Sequence, residues 1–277
     1  MTNLPVPETF VPWRAQREAS PWVASTTHGD EDMKNNMRAA LITAAVLAGC
    51  GGGGGGSDAP ASATATPAAT APTGAEGFYS GTAGPYDFGA VILETGEFWG
   101  IYSSGGVVQG AVHGSSTETA STFTGSGYDY NLPTQSRTAS SFSGTYAPGA
   151  SITGTISSSN TAFTGKYDAS YLTPATISSI TGQWTGNVAT AGRVDSGSFT
   201  IDASGAISGR SSSCAYTGTV ASHAATAVFD VSVTFAQTGC LFNGQTVSGI
   251  AVLLQGTLFT AGLLPDKSAG LIASSHR

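Results

Sequence analysis

From about residue 76 to the end of the chain, apolar and polar residues alternate with a period of two. Runs such as Phe78-Tyr79-Ser80-Gly81-Thr82, Glu97-Phe98-Trp99-Gly100-Ile101-Tyr102 and Phe229-Asp230-Val231-Ser232-Val233-Thr234-Phe235 mix aromatic and β-branched residues with small polar ones. That period is the mark of strands with one buried face. Turn signals fall between the runs at Thr95-Gly96, Ser104-Gly105-Gly106, Ser159-Asn160, Ala203-Ser204-Gly205 and Asn243-Gly244. Hairpin follows hairpin at a spacing of roughly ten residues, and no helical segment is available for parallel crossovers. The expected fold is all-β: an antiparallel meander forming barrel-like or sandwich units.

A three-residue element recurs in this region: an apolar residue, then Ser or Thr, then Gly. It occurs at Tyr79-Ser80-Gly81, Phe123-Thr124-Gly125, Phe142-Ser143-Gly144, Ile152-Thr153-Gly154, Phe163-Thr164-Gly165, Trp184-Thr185-Gly186, Ile207-Ser208-Gly209, Tyr216-Thr217-Gly218 and Val247-Ser248-Gly249. Residues two apart share a strand face, so the apolar residue and the glycine point the same way. Glycine within a strand marks a bend, a bulge or a close approach, as the narrow interior of a small barrel requires. Gly77-Phe78-Tyr79-Ser80-Gly81 and Gly182-Gln183-Trp184-Thr185-Gly186 open two similar stretches. This predicts two units, 76–172 and 173–277, joined near Tyr171 to Ile180 where Pro174 interrupts the strands; one continuous sandwich is the alternative.

The first 75 residues follow a different pattern. Met33-Lys34-Asn35-Asn36-Met37-Arg38 carries two positive charges, and Ala39 to Ala48 is apolar apart from Thr43. Small residues then lead into Cys50, the order of a secretory signal. The apolar run is only about ten residues, half of what a spanning helix needs. Gly51 to Gly56, Ser57-Asp58-Ala59-Pro60 and an Ala/Thr/Pro stretch follow, a composition suited to a flexible tether. Residues 1–32 carry Pro5, Pro7, Pro12, Trp13, Pro21 and Trp22 with no periodic apolar face. They read either as sequence upstream of a true start at Met33 or as an N-terminal extension.

Leu47-Ala48-Gly49-Cys50 resembles the lipobox of bacterial lipoproteins. The resemblance implies a signal peptide over 33–49, cleavage between Gly49 and Cys50, and diacylglycerol and palmitate-type acylation of Cys50. Gly51, rather than Asp, after the cysteine implies delivery to the outer membrane of a Gram-negative envelope. Segment 50–75 is then the lipidated tether. Over 50–277 the order of lipobox, Gly-rich tether and strand-and-Gly repeats also resembles, more distantly, the barrel halves of transferrin-binding-protein-type surface lipoproteins. No ligand-contacting motif of that family matches here.

Charge and chemistry narrow the classes further. The net charge is −7, and from Cys50 onward six Lys/Arg stand against twelve Asp/Glu. No basic cluster follows the export region, so nucleic acid is not expected as a partner. With Cys50 acylated, Cys214 and Cys240 remain as one pair in an oxidising compartment, and a disulfide between them is expected; two free buried thiols is the alternative. His113, His223 and His276 are dispersed, without metal-site spacing, and neither Gly-x-Ser-x-Gly nor Ser-x-x-Lys occurs. No cofactor, metal or catalytic residue is expected. Glu94 and Glu97 flank Thr95-Gly96, where a two-residue turn would set them side by side, most simply as solvated charges at a hairpin tip. Trp99, Trp184, Tyr128, Tyr130 and Tyr171 are expected mainly in the core, with a sugar-stacking or protein-binding surface as the alternative.

The leading expectation is therefore a non-enzymatic, lipid-anchored envelope protein whose β-module binds a protein or small molecule, or shields the surface. A hydrolase of envelope polymers would need an acid pair or nucleophile constellation. A transmembrane β-barrel would need an outward apolar band with aromatic girdles.

Overall fold

A computed structural model describes residues 72–190 and 192–277. The signal, Gly49, Cys50 and nearly all of the tether lie outside the described residues. Among the described residues, sixteen antiparallel strands form two closed eight-stranded barrels. The first contains β1 (Gly77–Ala83), β2 (Tyr86–Ile92), β3 (Glu97–Ser104), β4 (Val107–Thr119), β5 (Thr122–Asn131), β6 (Ser136–Ala147), β7 (Ser151–Ile156) and β8 (Thr161–Asp168). The second contains β9 (Gly182–Thr190), β10 (Arg193–Ile201), β11 (Ala206–Ser211), β12 (Ala215–Ser222), β13 (Val228–Ala236), β14 (Thr246–Leu254), β15 (Thr257–Leu263) and β16 (Gly270–His276). Each is an up-and-down meander in sequence order, closed by its first and last strands: Gly81 stands opposite Gly165, and Val188 opposite Ala273. The expected all-β antiparallel fold is present, in its barrel form.

The recurrent element explains how the barrels close. Its first residue points inward: Tyr79, Phe123, Ile152, Trp184, Ile207 and Val247 are buried. At Gly125, Gly144 and Gly154 of the first barrel the glycine accepts an aromatic ring from the neighbouring strand, whereas Gly81, Gly186, Gly218 and Gly249 lie against backbone carbonyls. A methyl group added at Gly154 would lie 2.6 Å from the Phe163 ring, and one at Gly144 2.9 Å from Phe123; at Gly125 it would overlap the ring of Phe142. Phe163, Phe123 and Phe142 stand directly opposite these glycines in the register. The rings also touch one another, Phe98 to Phe142 at 4.7 Å and Phe123 to Phe142 at 5.8 Å, so the first interior is an aromatic stack rather than a channel. Such edge-on contacts add to area burial.

The middle residue of the element points outward. Thr119, Thr122, Thr145, Thr153, Thr164 and Thr82 face one another in a continuous cross-strand row around six strands of the first barrel. A similar row, Thr200, Ser208, Thr217, Thr234 and Thr246, crosses β10 to β14 of the second. Hydroxyls bridge within the rows, Thr145 to Thr153 at 3.0 Å and Thr234 to Thr246 at 2.8 Å.

The second barrel is closed at both ends. The connection between barrels makes a 3-10 turn, Ala169–Leu172, and one helical turn, Ile177–Ile180. Ile180 is fully buried with Trp184, Ile201 and Phe229, and its carbonyl accepts from the Trp184 indole at 2.7 Å. At the other end Cys214, Cys240, Phe242 and Leu264 cluster around Phe235.

A further apolar cluster lies outside both interiors. Phe78, Val91 and Trp99 pack with Val228, Ile250, Val252, Phe259 and Ala261, while their neighbours Tyr79, Ile92 and Phe98, or Phe229, Ala251 and Leu258, fill the barrels. The strands at this seam are thus apolar on both faces. Their sequences lose the simple alternation, as in Ile250-Ala251-Val252-Leu253-Leu254.

Candidate functional site

The densest polar chemistry lies at the edge of this seam. The β2–β3 connection is a three-residue turn, Glu94-Thr95-Gly96, with Gly96 at φ +79° and Leu93 hydrogen-bonded to Glu97. Glycine is favoured there because that backbone conformation crowds a Cβ. The expected juxtaposition of Glu94 and Glu97 across a two-residue turn is therefore corrected. The extra loop residue puts Glu94 at the tip and Glu97 on the strand, and each carboxylate meets a different histidine.

Glu94 reaches across to the second barrel. His223, in the β12–β13 loop, has Nε2 3.1 Å from Glu94 Oε1 and Nδ1 2.8 Å from Asp230 Oδ1. A carboxylate oxygen stands at each ring nitrogen, an arrangement that favours the positively charged imidazole, which can donate at both. Burial alone would disfavour that charge, but the hydrogen bonds and charges of Asp230 and Glu94 outweigh it and raise the His223 pKa. Glu97 accepts from His113 Nε2 at 2.8 Å and from the Trp99 indole at 3.2 Å, on the same oxygen. The His113 hydrogen bond outweighs burial and holds the Glu97 carboxyl below its ordinary range. The His113 ring lies against Trp99, centroids 4.1 Å apart. Its Nδ1 is buried with no protein partner.

Glu97, Trp99, His223 and Asp230 line one cleft of about 460 Å³, along with Thr95 and Thr219. His223 lies between the Glu94 and Asp230 carboxylates, and His113 is hydrogen-bonded to Glu97. Both nitrogens of His223 are committed to carboxylates. The His223 contact joins the two barrels, since Glu94 belongs to the first and Asp230 to the second, whereas the His113–Glu97 pair lies within the first.

The chain matches no known protein family, and no curated protein matches it. Among the described residues, no group of three His, Cys, Asp or Glu side chains is placed to hold a metal ion, and no helix is long and apolar enough to cross a membrane.

Cys214 and Cys240 form the expected disulfide, joining the β11–β12 connection to the β13–β14 loop. Trp99, Trp184 and Tyr171 are core residues. Tyr128 and Tyr130 are half-exposed on β5, with Arg137 stacked 4.3 Å over the Tyr128 ring. Tyr130 and Arg137 both donate to the Lys267 carbonyl of the second barrel, at 2.9 and 2.7 Å. These two are joint residues as well. The Glu94–His223 pair had no signal in the sequence, because the two are 129 positions apart and only barrel packing brings them together.

Proposed function

We propose that this chain is the precursor of a lipid-anchored protein of the bacterial outer membrane, and that its paired barrels form a non-enzymatic binding or structural module. The observation that carries the proposal is Leu47-Ala48-Gly49-Cys50, set between a short apolar run and a Gly-rich tether. Three features of the folded part support it. The Cys214–Cys240 disulfide suits an oxidising, exported compartment. The outward hydroxyl rows suit barrels standing in water; a barrel crossing a bilayer presents apolar residues there. Interiors packed with aromatic and aliphatic side chains leave the outer surfaces and the seam as the places to bind.

The test is the intact mass of the protein extracted from its native membrane. The expected mass is that of residues 50–277 with one disulfide, plus a diacylglyceryl and an acyl group on Cys50. Cys50→Ala should leave the protein uncleaved and without lipid. An unlipidated wild-type mass retaining residues before Cys50 would overturn the proposal.

A further inference from the structure

A cleft of about 460 Å³ lies on the outer face of the first barrel across β4, β5 and β6, with Lys267 of the β15–β16 turn in its lining. Ser115, Ser126 and Ser141 stand in one cross-strand row there, and His113 and Tyr128 face each other in the next. All are outward positions: Val112, Phe123 and Phe142, an odd number of residues away on the same strands, pack into the interior. The three serines are exposed and Tyr128 is half-exposed.

The hydrogen-bonding groups of this cleft are uncommitted. Among the described residues the hydroxyls of the three serines and of Tyr128 have no protein partner. His113 is only 4% exposed; Glu97 takes its Nε2, and its Nδ1 is buried without a protein partner. A buried ring nitrogen left in that state costs free energy until something completes it. Lys267 brings one positive charge, and it lies close enough to help hold Glu97, beside His113, in its negative form; the other groups are neutral hydroxyls. A hydroxyl both donates and accepts, as the hydroxyls of a sugar do in return, and Tyr128 offers an apolar ring surface with a polar tip. A single water needs roughly 10–15 Å³ of such space, so the cleft has room for a pyranose of roughly a dozen non-hydrogen atoms.

We propose that this cleft binds a neutral pyranose sugar, with its hydroxyls on the serine row and on His113 Nδ1 and its ring against Tyr128. The inference rests on the reading of the paired barrels as a binding module, and it holds or fails independently of lipidation.

The experiment uses the full chain carrying Cys50→Ala, titrated with the methyl glycosides of glucose, galactose, mannose and N-acetylglucosamine and, separately, with inorganic phosphate. Binding is followed by NMR through the amides of Ser115, Ser126 and Ser141 and the His113 Nδ1 resonance. At least one glycoside should shift these signals saturably, and phosphate should not. Ser126→Val, at the middle of the row, should weaken that binding about tenfold with the melting temperature unchanged, because it removes an exposed hydroxyl and suits a strand. Ser141→Val makes the same test if the first variant does not fold. Thr124→Val, outward on the same strand but outside the cleft, should leave binding as it was. No saturable shift with any of the four glycosides, phosphate binding as tightly as a sugar, or undiminished binding by Ser126→Val would overturn the inference and leave the anchoring proposal untouched. A Cys50 found unlipidated in the native membrane would overturn the anchoring proposal and leave this one standing.

Discussion

Some of the strand glycines of the first barrel are sockets for an aromatic ring on the next strand. The ring of Phe142 lies over Gly125, and that of Phe163 over Gly154. A side chain at such a position has to displace a ring from a stack whose members already touch, as Phe98 and Phe142 do. Gly125→Val should therefore destabilise the protein by about 1–3 kcal/mol, the usual cost of overpacking, even though valine is the better strand former. Thr153→Val, on the outward row two strands away, should change stability by no more than about 0.5 kcal/mol. Urea unfolding of both variants would check the contrast, and equal effects would refute the inside–outside assignment. The faces themselves were legible in the sequence, because a period of two fixes which residues point together. Which ring covers which glycine was not, since that depends on the register between strands and no local pattern encodes register.

Among the elements, hairpin positions were the most legible part, with turn signals at Ser104-Gly105-Gly106 and Ala203-Ser204-Gly205 lying between paired strands. The Glu94-Thr95-Gly96 turn shows where such reading ends. One residue more or less in a loop leaves the strands in place but redirects the side chains beside it, and here that separates two carboxylates. The two loops joined by Cys214 and Cys240 enclose 26 positions of chain. Closing a loop of that size removes about 3.5 kcal/mol of unfolded-state freedom on the chain-entropy account. Reduction, or Cys214→Ala with Cys240→Ala, should lower stability by about 2–4 kcal/mol, read as a fall in the urea midpoint. A midpoint that does not move would mean that Phe235, Phe242 and Leu264 hold that end of the barrel unaided.

At the scale of the whole molecule, the seam is held by apolar burial and trimmed by charge. The His223 pKa is raised above its ordinary 6.5, so its contribution is complete below about that pH and is lost as pH rises through the folded value. Glu97 is lowered from 4.5, so its contribution is present above that value and is lost as pH falls through the folded one. Both act together between about pH 4.5 and 6.5, and stability should be greatest there, falling as the solution is made alkaline. His223→Gln should flatten the alkaline side of the profile of melting temperature against pH. An unchanged slope would show that the Glu94–His223–Asp230 contact does not couple to folding. None of this could be read from sequence, because the double-faced apolar strands of the seam look like ordinary buried strands until a second barrel is placed against them.

Closure by the first and last strands has one more consequence. Since β1 pairs with β8 and β9 with β16, each barrel begins and ends on adjacent strands, and no strand is structurally the first. Cutting a barrel at a hairpin such as Ser159-Asn160 and joining its old ends by a short linker would write the same ring of strands from a new starting point. Circular permutants of this kind should fold, because the ring stores its neighbours in space and is indifferent to where the chain is opened.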